Sequence, residues 1–140
     1  MITGLGNGGA EKVLFRLVTC DGHNEHIVIS MMDLGIYGPQ LKELGFAVHA
    51  LEMPRARISM KGLSRLYRLI KSIQPDVIQT WMYHADLIGG IIGRLGGCPA
   101  IFWGIRGPYN RARTSLATKC VITLCAWFSG WLRSCSAPGG

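Results

Sequence analysis

The chain has 140 residues, of which 49% are hydrophobic and 16% charged, and 15 basic against 8 acidic side chains leave a formal charge of +7. That length supports one domain with a real core, and the apolar content excludes an intrinsically disordered chain. Residues 1–52 carry three basic and six acidic groups, whereas residues 53–140 carry twelve basic and only two acidic ones, Asp76 and Asp86. Such asymmetry points to an anionic partner for the second part: a phosphate-bearing substrate, a nucleic acid or acidic headgroups.

Taken in chain order, short apolar runs alternate with helical patterns. The loop Gly4-Leu5-Gly6-Asn7-Gly8-Gly9 follows the stub Ile2-Thr3 and opens a helix over residues 10–20. The run IVISMM at 27–32 reads as a strand covered on both faces, and FAVHAL at 46–51, VIQT at 77–80 and AIFW at 100–103 are further strands. Helices are expected near residues 40–44, over 63–73, 85–95 and 115–132. Strand and helix in regular alternation imply an α/β fold, a Rossmann-like parallel sheet flanked by helices.

Two helices show how these segments sit. Leu63, Leu66, Tyr67, Ile70 and Ile73 fall within roughly 120° on a helical wheel, with Lys61, Arg65 and Arg68 opposite, so the apolar side should cover the sheet. In the next helix Leu87, Ile88, Ile91 and Leu95 form an apolar stripe, and Gly89, Gly93 and Gly96 fall on the other side. Each glycine there should weaken the helix by about 1 kcal/mol relative to alanine, and either close approach by a neighbour or a poor helix sequence accounts for them.

Five cysteines without a Cys-x-x-Cys pair, and no basic-then-apolar leader, lead to the expectation of a reducing, cytoplasmic compartment. Cys20-x-x-His23-x-x-His26 has no fourth ligand at zinc-like spacing, so no metal is expected. No nucleic-acid module is visible. The two ends read as cut short, with two residues ahead of the glycine loop and an apolar-faced final helix that no strand follows, which leads to the expectation of a fragment of a longer enzyme.

The glycine loop admits two ligands. Gly4-x-Gly6-x-x-Gly9 formally matches a dinucleotide fingerprint, and Asp33, at the end of the second strand, lies where an acidic residue would hold a ribose. In either reading Gly8 and Gly9 let the backbone approach an anion at the amino end of the first helix.

Gly8-Gly9-Ala10-Glu11 resembles the GGAE motif of glycosyltransferase family 4. The stretch PDVIQTWMYHADLIGG at 75–90 resembles a segment of bacterial members that build surface polysaccharides, and Trp103-Gly104-Ile105-Arg106 is similar to the WGIR stretch of the same subgroup. The likeness runs to about Leu132. It implies the N-terminal, acceptor-side half of a retaining GT-B enzyme: a Rossmann-like domain over residues 1–132, an irregular tail over 133–140, and no C-terminal donor-binding domain in this sequence.

The resemblance further implies no cofactor and, as partners, a nucleotide-sugar donor and a glycan or lipid-linked acceptor, with peripheral contact at the inner membrane face. By the same resemblance Gly8 and Gly9 lie against the donor, Trp81, Tyr83 and His84 contact sugar, and Arg106 meets a phosphate; the catalytic residues are not identified. Many members carry histidine at the position of Trp81, and His-Ser after WGIR where this chain has Gly107-Pro108. A non-catalytic module that docks on membranes or anionic polymers is the remaining class.

Overall fold

The computed structural model describes residues 1–55, 57–104 and 123–124. Contacts divide the chain into Met1–Arg106 and Gly107–Gly140, and the account below concerns the first unit. The helix expected over 115–132 lies outside the described residues except for Thr123 and Leu124, which are helical and exposed.

The first unit is mixed α/β. Its elements are α1 (Gly9–Cys20), β1 (Ile27–Ser30), α2 (Tyr37–Glu43), β2 (Ala47–Ala50), α3 (Met60–Ile73), β3 (Val77–Trp81), α4 (Tyr83–Leu95) and β4 (Ala100–Gly104). Every expected strand and helix of this unit is present. α2 starts three residues earlier than the apolar pattern suggests, since Pro39 falls in its first turn, where a missing N–H costs nothing.

β1 pairs with β2 and β3 with β4, both in parallel. The two ribbons meet through a single residue, because Ile2 forms parallel bridges to Ser30 on one side and to Trp81 on the other. Around it, Ile2 N–H donates to Ile29 O (2.9 Å), Met31 N–H to Ile2 O (3.0 Å) and Trp81 N–H to Met1 O (2.9 Å). The strand order is therefore β2, β1, the Met1–Thr3 stub, β3, β4.

Alternation along the stub sends neighbouring side chains to opposite faces. Met1 joins a core layer with Met31, Ile78, Leu66 and Ile70 of α3, and Ala85 and Ile88 of α4. Ile2 joins the other layer, with Val28, Val48 and Trp81, Leu14 and Val18 of α1, and Leu41 of α2. α3 buries Leu66 and Ile70 as its wheel requires, and Ser59 caps it by accepting from Gly62 N–H at 3.0 Å.

The glycines of α4 have a packing cause. A Cβ on Gly89 would stand 2.6 Å from Thr80 Cγ2, one on Gly90 3.1 Å from the Trp103 ring, and one on Gly93 2.9 Å from Ile78 Cδ1. The glycine side of α4 thus lies directly on β3 and β4. This corrects the expected stripe: Leu87 and Ile88 are buried, but Leu95 is 64% exposed.

Beneath this contact is a buried polar group. Asp86 and Thr80 are both buried, with Thr80 Oγ1 2.6 Å from Asp86 Oδ1 and 3.2 Å from Phe102 O. Burial raises the Asp86 pKa, against the opposing pull of the Thr80 hydrogen bond and the Met1 ammonium. The Met1 nitrogen donates to Gln79 O at 2.6 Å, and burial lowers its pKa to about 5 from 8.0.

Two outcomes follow. Helix propensity alone would make Gly89→Ala stabilising, but the contact with Thr80 should make it cost about 1–3 kcal/mol in urea denaturation. The unfolded Met1 amine takes up its proton below pH 8 and the folded one only near pH 5. Stability should therefore rise with pH between about 5 and 8, by a few kcal/mol at most. A chain acetylated at Met1 should lose that rise in a thermal-denaturation series.

Candidate functional site

The glycine loop leaves the carboxyl end of the stub at Thr3 and is held from below by Leu5. That side chain is fully buried in the α1–α2 core layer. Its carbonyl accepts from Ile36 N–H (2.8 Å) and Tyr37 N–H (3.1 Å) at the start of α2. Gly35, at φ +50°, makes this close approach possible, since a Cβ there would overlap the Leu5 carbonyl. Thr3 Oγ1 is buried and has no hydrogen-bond partner among the described residues.

Beyond Leu5 the chain opens to solvent. Gly8 is the N-cap of α1 with extended backbone and, being glycine, supplies no side-chain cap. Lys12 N–H donates to Gly8 O at 3.2 Å as the first bond of the helix, so the N–H groups of Gly9, Ala10 and Glu11 have no acceptor within α1. Gly9 is exposed, and nothing lies within 4 Å of where its Cβ would be. These amides and the positive end of the helix dipole form a surface that favours negative charge, at the carboxyl edge of the strands.

One protein group already leans on this surface. A Cβ on Gly8 would collide with the Glu11 carboxylate, with Cδ only 2.9 Å away. Glu11 is the third residue of the helix, where a carboxylate reaches back towards the cap.

The other expected contacts are distributed less simply. Trp81 is 2% exposed and packed in the α1–α2 core layer at the end of β3. Tyr83 and His84, the first two residues of α4, are half-buried at the same edge of β3. Arg106 lies outside the described residues. Asp33 is exposed just beyond β1 and accepts from Gly35 N–H at 3.1 Å. It borders a cleft of about 420 Å³ with Met32, Glu52, Met53 and Arg55.

Two features at this edge carried no sequence signal. Met82 links β3 to α4 at φ +77° and ψ +145°, and Glu52 follows β2 at φ +55°. Positive φ in a methionine is strained, by roughly 1–3 kcal/mol, and persists only where surrounding packing imposes it. Trp103, at the end of β4, has a buried Nε1 with no partner among the described residues.

The Cys20–His23–His26 cluster is organised by Asp21 instead. Hydrogen bonds from Asn24, from His23 N–H and from His26 hold the Asp21 carboxyl at about 2. No group of three ligating side chains suited to a metal occurs among the described residues, and no helix among them is long and apolar enough to cross a membrane.

In comparisons with known proteins, no family model and no curated protein matches the chain.

Because Glu11 both complements the helix end and blocks it, Glu11→Gln should separate the two effects. We expect a loss of about 0.5 kcal/mol in urea denaturation, together with tighter binding of pyrophosphate by titration calorimetry.

Proposed function

We propose that the chain is the acceptor-side, Rossmann-like half of a retaining GT-B glycosyltransferase of family 4. Such an enzyme moves a sugar from a nucleotide-sugar to a glycan or a lipid-linked glycan. The observation that carries this reading is the open amino end of α1: three main-chain donors without helical acceptors, beside glycines that leave room for a ligand, at the carboxyl edge of a parallel strand array.

In such a transfer the anomeric C–O bond breaks through an oxocarbenium-like state, and negative charge grows on the departing nucleoside diphosphate. Fixed amide dipoles that face that charge lower the barrier, because they need no reorganisation as it develops. The contribution of this half is the set of N–H groups of Gly9, Ala10 and Glu11, with Tyr83 and His84 placed at the same edge to meet the acceptor. The resemblance puts further cations on a second half. The net +10 over residues 53–140 suits an acceptor held at an anionic inner membrane face, where each surface Lys or Arg adds about 1 kcal/mol.

A second reading has one observation in its favour. Asp33 stands exposed beyond β1, the strand beside the stub, as a ribose-binding acid would in a dinucleotide-dependent oxidoreductase. Tight NADH binding that is lost in Asp33→Ala would favour it.

The glycosyltransferase reading is tested by saturation-transfer NMR with a panel of UDP-sugars, comparing the original chain with Gly9→Val. Open space around Gly9 means that the variant should keep its stability within about 0.5 kcal/mol while donor signals fall about tenfold or more. Equal signals from both chains, or none from either, count against it.

A further inference from the structure

The first turn of α4 buries a carboxyl that the candidate site does not use. Asp86 is 1% exposed, and Thr80 of β3 is fully buried beside it. Thr80 Oγ1 stands 2.6 Å from Asp86 Oδ1 and 3.2 Å from the carbonyl of Phe102 on β4. One hydroxyl thus lies between two acceptors, one on α4 and one on β4.

A threonine hydroxyl owns a single hydrogen. With Asp86 ionised, that hydrogen goes to the carboxylate, which forms the stronger bond, and the contact with Phe102 O is lost. With Asp86 protonated, its own O–H donates to Thr80 Oγ1 and the Thr80 hydrogen is free for Phe102 O. Only the protonated acid satisfies both contacts. It completes a chain of donors from α4 through β3 to β4.

The surroundings favour the same form, since burial disfavours the charge on Asp86 and raises its pKa. β3 and β4 contain no ionisable side chain, and Lys61, Arg65, Tyr67, Arg68 and Lys71 of α3 are exposed. Tyr83, His84 and Arg94 are the other titratable groups of α4 itself. The Met1 nitrogen acts in the opposite direction, and an amide in place of that ammonium removes its charge.

We propose that Asp86, Thr80 and Phe102 O form a proton-dependent latch, which fastens the first turn of α4 to β3 and β4 while Asp86 is protonated and releases it when Asp86 ionises. Ionisation leaves a carboxylate in the core with one hydroxyl in place of its water, a costly state until water reaches it. The first turn of α4 is the part that yields, because no side chain caps the helix at Met82. Tyr83 and His84 stand on that turn, so the latch sets how firmly they are held. The latch is independent of the sugar-binding reading and stands or falls without it.

The folded chain keeps the Asp86 proton to higher pH than the unfolded one. This contribution to stability is therefore complete in acid and is lost as pH rises through the folded titration. Its sign is opposite to that of the Met1 amine, and acetylation of Met1 separates the two. The test follows the acetylated full chain by NMR, reading the Asp86 carboxyl carbon and the protection factors of the Asp86 and Leu87 amides against pH. We expect the carboxyl to titrate above the ordinary aspartate range, with protection falling by up to about tenfold per pH unit over the same interval. Asp86→Asn, whose amide donates to Thr80 at every pH, should keep its protection level throughout. Thr80→Val, which keeps the shape without the hydroxyl, should show already in acid the weaker protection that the unsubstituted chain reaches only at high pH. A carboxyl that titrates in the ordinary range, an equal fall of protection in Asp86→Asn, or full protection in Thr80→Val each overturns the proposal.

Discussion

The hydrogen bonds of a three-residue stub connect everything else in this unit. Ile2 is the only residue bridging β1 to β3 among the described residues, and its pairing partners Ser30 and Trp81 are the last residues of those strands. The contact therefore lies at the carboxyl edge, and the chain that continues from it becomes the glycine loop. Placement of the loop is a consequence of register: Met31 N–H bonds to Ile2 O and Met32 N–H to Thr3 O, so the stub leaves β1 only where that strand ends.

Charge is balanced locally at the loop. A helix that begins with three glycine-proximal amides and no capping side chain would be poorly satisfied alone, and Glu11 supplies the missing negative charge. The carboxylate stabilises the empty state and competes with a ligand for the same surface. On the proposed reading, binding of a donor would be an exchange of one anion for another, and a doubly charged diphosphate would gain more there than a single carboxylate. Leu5 anchors the base of the loop, through its buried side chain and a carbonyl that accepts two hydrogen bonds.

The strands and helices of Met1–Arg106 were legible from their apolar patterns: a short continuous apolar run over residues 27–32 for β1 and a 3.6-residue stripe for Leu66 and Ile70. The glycine loop was legible as well, since glycine is the residue whose backbone freedom such a turn requires. What failed has physical causes. Hydrophobicity cannot reveal that α4 meets the sheet through Gly89, Gly90 and Gly93, since the absence of a side chain has no apolar signature. The burial of Trp81 in the α1–α2 core layer was not legible either, since only the pairing of β3 with the stub makes it an inner strand. Nothing in a methionine announces the positive φ of Met82.

The central claim is that main-chain amides at the start of α1 receive the diphosphate of a sugar donor. The most direct measurement is an amide NMR titration with UDP and, separately, with uridine. UDP should shift Gly9, Ala10 and Glu11 most strongly, and uridine at equal concentration should leave them unmoved, because the phosphates are what the helix end attracts. Shifts confined to other residues, or equal responses to both compounds, would contradict the account.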